Sequence, residues 1–106
     1  MVKPEVEPPG RAPRLARLVA LAHKLDHLVQ SGAAKDYAAL ARAGHVSPAR
    51  LSQIMVLLHL APAIQEHLLF LSAAETRFMT ELGPRQIARE PRWDRQRELF
   101  ERLLTR

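Results

Sequence analysis

Asp36-Tyr37-Ala38-Ala39-Leu40-Ala41-Arg42-Ala43-Gly44-His45-Val46-Ser47-Pro48-Ala49-Arg50-Leu51-Ser52-Gln53-Ile54-Met55 carries the plan of this chain. Asp36 is a residue that accepts from the free amides of a first helical turn, so a short, alanine-rich helix is expected over residues 37–43. Gly44-His45-Val46 interrupts it. Ser47 then offers a second cap, and Pro48 fits the first helical position, where no amide hydrogen bond is lost. The second helix is expected to reach about Leu58–Leu60 and to stop before Ala61-Pro62, because the residue preceding proline avoids the α region. Two short helices meeting at a tight turn form the plan of a helix-turn-helix, at about residues 36–59. Ala41 is small enough for the helices to approach closely, Val46 is expected to fill the space under the turn, and Leu51 and Ile54 are expected to face inward. The opposite face carries Ser47, Pro48, Ala49, Arg50, Ser52, Gln53 and Val56, short and almost free of acid.

On either side the pattern stays helical. Pro4, Pro8, Pro9, Pro13 and Gly10 make residues 1–13 a flexible arm, since proline fixes φ and lacks the amide donor. From Arg14, Leu15, Leu18, Val19, Ala22, Leu25, Leu28 and Val29 recur at three- and four-residue steps, the period of one helix face. Ser31-Gly32 ends that helix. Pro62 is expected to open another, with Ile64, Leu68, Leu69 and Leu71 inward. Ser72-Ala73-Ala74-Glu75 has capping-box spacing and predicts a short helix to about Met79. A brief segment from Thr80 or Gly83-Pro84 follows, with Ile87 and Ala88 apolar. Residues 92–104 close the chain, with Trp93, Gln96, Leu99, Phe100, Leu103 and Leu104 along one side. No period-2 alternation or hairpin turn is present. The expected fold is all-α: a compact bundle of five to seven short helices, a single domain over residues 14–106.

Composition narrows the function. At 106 residues, 47% hydrophobic and 25% charged, the chain has ordinary globular make-up. No run approaches the roughly 18 apolar residues of a membrane span, and the N-terminus lacks the order of a secretory signal, so a cytoplasmic protein is expected. The absence of cysteine excludes disulfides, thiolate zinc and a cysteine nucleophile. The net charge is +5, and it is uneven. Residues 1–35 carry +3, residues 36–76 carry −1, and residues 77–106, with eight arginines against five acids, carry +3. A basic domain of this size attracts polyanions, nucleic acid above all.

Leu40-Ala41, the glycine break, Val46-Ser47, Arg50-Leu51-Ser52-Gln53-Ile54 and Leu57-Leu58-His59-Leu60-Ala61-Pro62-Ala63-Ile64-Gln65 resemble the helix-turn-helix core of the ParB/KorB partition-protein family, over about residues 36–70. The stretch from Ile87 to Arg97 also looks like small helix-turn-helix proteins encoded beside recombinases on mobile elements. In this chain His45 stands where glycine is usual in the family's turn, and histidine tolerates positive φ better than most residues. The likeness is confined to the DNA-binding core, so it implies neither clamp formation nor nucleotide hydrolysis.

The geometry expected of such a motif places the helix from Ser47 in the major groove of double-stranded DNA, N-terminal end deepest. Ser47, Ala49, Arg50, Ser52 and Gln53 are the candidate base contacts. Gln53 suits a two-pronged pairing with adenine, Arg50 suits guanine or a phosphate, and Ala49 suits a thymine methyl. Arg14, Arg17, Lys35 and Arg42, with the C-terminal arginines, are the candidate phosphate contacts. The role implied is a transcriptional regulator or an accessory factor in partition or recombination, with a homodimer and a recombinase or partition partner both left open. The alternative is a helical protein-interaction adaptor using the apolar stretch from Leu57 to Leu71.

Other chemistry finds little support. His23, Asp26 and His27 have spacing that can hold zinc, but no further ligand accompanies them, and a solvated helix face is the expectation. His59 and His67 are expected at the border of core and solvent. Ser47 and Ser52 have no paired acid and base nearby, and no glycine-rich phosphate loop exists. Neither enzymatic activity nor a cofactor is expected. Trp93, Phe100 and Leu104 are expected to pack inward.

Overall fold

The computed structural model describes residues 13–72, 74–75 and 79–105. Among them the elements are α1 (Arg14–Gln30), α2 (Tyr37–Ala43), α3 (Pro48–Met55), a 3-10 turn (Val56–His59), α4 (Pro62–Leu69), α5 (Leu82–Ile87) and α6 (Trp93–Leu104), with no strand. The fold is an all-α bundle. The expected N-terminal arm, residues 1–13, lies outside the described residues except for Pro13. The short helix expected from Ser72 to about Met79 also falls largely outside them, although the reciprocal bonds of its capping box form: Ser72 N donates to Glu75 Oε1 at 3.0 Å and Glu75 N donates to Ser72 Oγ at 3.1 Å.

α1 is the spine, packed along α4, α3 and α2. Its stripe at Leu15, Val19 and Ala22 is buried, together with Ala16. Beyond Ala22 the stripe is only half-buried, and there α2 is tied on by Tyr37, whose hydroxyl donates to the Asp26 carboxylate. Gly32 turns the chain with φ +84°, a conformation that glycine adopts without steric cost.

The segment expected as one helix from Ser47 to Leu60 is two. The α-helix ends at Met55, and the 3-10 turn carries the chain on to Leu60. The tighter winding has a packing reason: a three-residue repeat puts Leu57 and Leu60 on the same side, and both are 1% exposed or less. They join Leu15, Val19, Ile64, Leu68, Leu71, Ile87 and Phe100 in one core. Fully burying each leucine contributes about 1.5–3 kcal/mol.

α5 packs against the 3-10 turn and against α6. The α5–α6 approach is close at Gly83, where a Cβ would stand 2.9 Å from Leu103 Cδ2. Phe100 is buried in α6, but Trp93 is 52% exposed, contrary to the expectation that it packs inward. At the first position of its helix it lies beyond the edge of the core. The polar Gln96 occupies the buried place instead, at 1% exposure. Its Oε1 accepts from Ala61 N at 2.7 Å, and its Nε2 donates to Glu90 O at 2.8 Å and His59 O at 3.1 Å. One amide thus satisfies two backbone groups where the 3-10 turn meets Pro62 and a third in the link between α5 and α6.

Gln96→Leu keeps the volume and removes all three bonds. It is expected to lower the unfolding free energy by about 2–4 kcal/mol in urea titrations, because buried backbone groups are left without partners. A loss below about 0.5 kcal/mol would show that the amide is not what holds this junction.

Candidate nucleic-acid interface

The turn between α2 and α3 is built from local chemistry. Asp36 caps α2, its carboxylate accepting from Ala39 N at 2.8 Å. At the other end Val46 N donates to Ala41 O at 3.0 Å and His45 N donates to Arg42 O at 3.2 Å. That pair of bonds is the Schellman pattern, which needs a left-handed residue at its centre. His45 supplies it, with φ 56°, while Gly44 has an ordinary φ of −89°. Ser47 Oγ then accepts from Arg50 N at 3.0 Å, and Pro48 opens α3.

Ala41, Leu51 and Ile54 are buried where α2, α3 and α1 meet. Val46 does not fill the space under the turn as expected: it is 40% exposed. The Schellman hydrogen bonds hold the turn without it.

Of the candidate base contacts, Ser47, Ala49, Ser52 and Gln53 are all exposed, as is Pro48. Arg50 is different. Its guanidinium is only 32% exposed and grips Glu81 with both ends, Nη1 to Oε2 at 2.6 Å and Nη2 to Oε1 at 3.0 Å. Nη1 also donates to Gln53 Oε1 at 3.1 Å. This fork joins α3 to the residue that opens α5. Around the same carboxylate stand Arg85 Nε at 3.4 Å and Arg14 Nη2 at 3.9 Å. The Arg50 fork holds the Glu81 carboxyl below the usual carboxylate range, with Arg85 and Arg14 adding to the effect against the opposing cost of burial. The same bonds raise the Arg50 pKa further, so the guanidinium is charged throughout.

Sequence reasoning missed Glu81 and left open which C-terminal arginines matter. α5 lies beside the outer face of α3, and a groove of ≈ 320 Å³ runs between them, lined by Ser52, Gln53, Arg85, Gln86 and Arg89 among others. Arg85 was detectable only as the i,i+4 partner of Glu81 on a short helix. The structure therefore brings Ser52, Gln53, Arg50 and Arg14 together with Arg85 and Arg89. Arg17 is exposed on α1, and Lys35 and Arg42 are exposed at the two ends of α2.

No group of three metal-ligating side chains occurs among the described residues. His23 is hydrogen-bonded to Gln65 and Asp26 to Tyr37. His59 and His67 are exposed, and the His67 ring meets Phe100 edge-on. In the stretch from Leu57 to Leu71, the leucines at 57, 60, 68 and 71 and Ile64 lie inside the core, and Phe70 is the large side chain left in solvent, at 80% exposure. No described helix is long and apolar enough to cross a membrane.

Comparison with known protein families, with curated proteins and with solved structures returns no match to this chain.

The positive φ at position 45 gives a direct check on the turn. His45→Ile is expected to cost about 1–2 kcal/mol of stability in thermal or urea unfolding, since a β-branched side chain resists the left-handed region. His45→Asn is expected to stay within about 0.5 kcal/mol of the parent, because asparagine enters that region readily. Equal losses would contradict the turn geometry.

Proposed function

We propose that this protein binds double-stranded DNA through a helix-turn-helix of the ParB/KorB type, made by α2 and α3, as a transcriptional regulator or an accessory factor in partition or recombination. The observation that carries the reading is the uncovered side of α3. Ser47, Ala49, Ser52 and Gln53 are exposed on it, and arginines 85 and 89 line the groove beside it. An amide and short side chains at the front, with guanidinium groups at the flank, match what a base edge and its neighbouring phosphates require.

In this mechanism α3 enters the major groove with the Ser47 end leading. Gln53 reads a base edge, and its orientation is set by the Arg50 donor on its Oε1. Arg85 in α5, Arg89 just beyond it and Arg14 at the start of α1 hold the phosphates and give most of the affinity. Arg50 acts first as the brace that fixes α3 against Glu81.

Binding to a random-sequence duplex across a salt series tests the class of function. Affinity is expected to fall by about 0.9 log unit per phosphate contact for each tenfold rise in salt. Absence of binding at low salt favours the protein-interaction adaptor. Selection from a random duplex pool then tests the reader. Ser52→Ala with Gln53→Ala is expected to reduce the preference for the selected site by about tenfold or more, in line with roughly 1–3 kcal/mol per good bidentate pair, with helicity unchanged. Full preference in that variant would remove Ser52 and Gln53 from the reading face.

A further inference from the structure

Three guanidinium groups surround one carboxylate where α1, α3 and α5 converge. Glu81 is 12% exposed and touches Arg50, Arg85 and Arg14. One negative charge cannot neutralise three positive ones, so the cluster keeps an excess of about two charges. Two of the three cations approach Glu81 without a hydrogen bond to it from the nearest nitrogen. Arg14 reaches Glu81 only at 3.9 Å, with its side chain 72% exposed. Arg85 Nε is buried and has no hydrogen-bond partner, only the 3.4 Å approach to Glu81 Oε2. The cluster opens into a recess of ≈ 500 Å³ whose lining includes all three arginines and Thr80.

We propose that Arg14, Arg50 and Arg85 form a phosphate-binding site whose resident occupant is the Glu81 carboxylate, and that a phosphate group exchanges for Glu81 on Arg50 when ligand binds. A carboxylate and a phosphodiester carry the same single charge and fill the same planar fork of a guanidinium. The exchange therefore swaps one bidentate pair for another. Glu81 is not orphaned by it, because Arg85 Nε stands 3.4 Å from its Oε2 and has no hydrogen-bond partner of its own. In the free protein Glu81 is a tethered competitor that lowers affinity for phosphate and keeps Arg50 ordered. The ligand chemistry is phosphate, either of a nucleic-acid backbone or free in solution. The backbone source rests on the DNA-binding reading above; the site itself does not.

The test compares wild type, Glu81→Gln and Glu66→Gln, each in the full chain. Glu66 is exposed on α4, away from the cluster, and its change adds the same net charge. With a random-sequence duplex, Glu81→Gln is expected to bind about five- to tenfold tighter than wild type at a given salt concentration, while Glu66→Gln changes affinity less than twofold. Equal affinity of Glu81→Gln and wild type, with helicity retained, overturns the exchange and leaves the DNA reading standing. An equal rise in both variants also overturns it, as a plain effect of net charge. If no variant binds duplex, the DNA reading fails, and inorganic phosphate decides the site: a thermal shift larger in Glu81→Gln than in wild type supports it, and none in either overturns it. Should Glu81→Gln not fold, ¹⁵N-labelled wild type answers the question. The Arg50 side-chain Nε–H resonance is expected to move on titration with duplex or with inorganic phosphate, and a resonance unmoved by both overturns the proposal.

Discussion

The Arg50–Glu81 fork is the constraint that sets how α3 and α5 stand to one another in the free protein. It spans 31 residues of sequence and fastens the first turn of α3 to the start of α5. α5 is also held by its contacts with α6 and the 3-10 turn. A paired, hydrogen-bonded charge with most of its surface covered also fixes geometry, since separating it leaves a carboxylate in a poorly hydrated place. The groove therefore has a defined shape, with amide and hydroxyl groups on the α3 side and guanidinium groups on the α5 side.

A division of labour follows within the molecule. The apolar core formed by α1, the 3-10 turn, α4 and α6 sets the frame, with Gln96 closing the junction between the 3-10 turn and α4. α2 and its Schellman turn set the angle at which α3 leaves the frame. On the outer side of α3, Arg50 is tied to Glu81, while Ser52 and Gln53 stay exposed because Leu51 and Ile54 pack from the other side. Short side chains on an exposed, well-capped helix cost little stability there, and the sequence is free to place Ser52 and Gln53 by chemistry.

Local signals were legible in the sequence. The caps at Asp36 and Ser47, the proline at position 48 and the stop at Gly32 each act within four residues, and all stand where spacing placed them. The inward faces of α1, α3 and α4 followed from helical period, and the left-handed histidine from its position in the turn. What was hidden depended on distant partners. Nothing near Glu81 announces Arg50, and nothing near Gln96 announces the orphan amide of Ala61. Trp93 and Val46 show the reverse error: each is apolar at a suitable spacing, but each stands at an element's end, past the edge of the core. The break at Met55 was hidden too, since Leu57 and Leu60 fit a helix of either winding.

Backbone amide chemical shifts of ¹⁵N-labelled protein, followed during titration with a short DNA duplex, locate the contact surface residue by residue. Shift changes are expected to gather on residues 47–53 and 81–89, the two walls of the groove, and to leave Phe70 and its neighbours on α4 unmoved. Changes confined to the Phe70 side, with none along α3, would overturn DNA binding through α3.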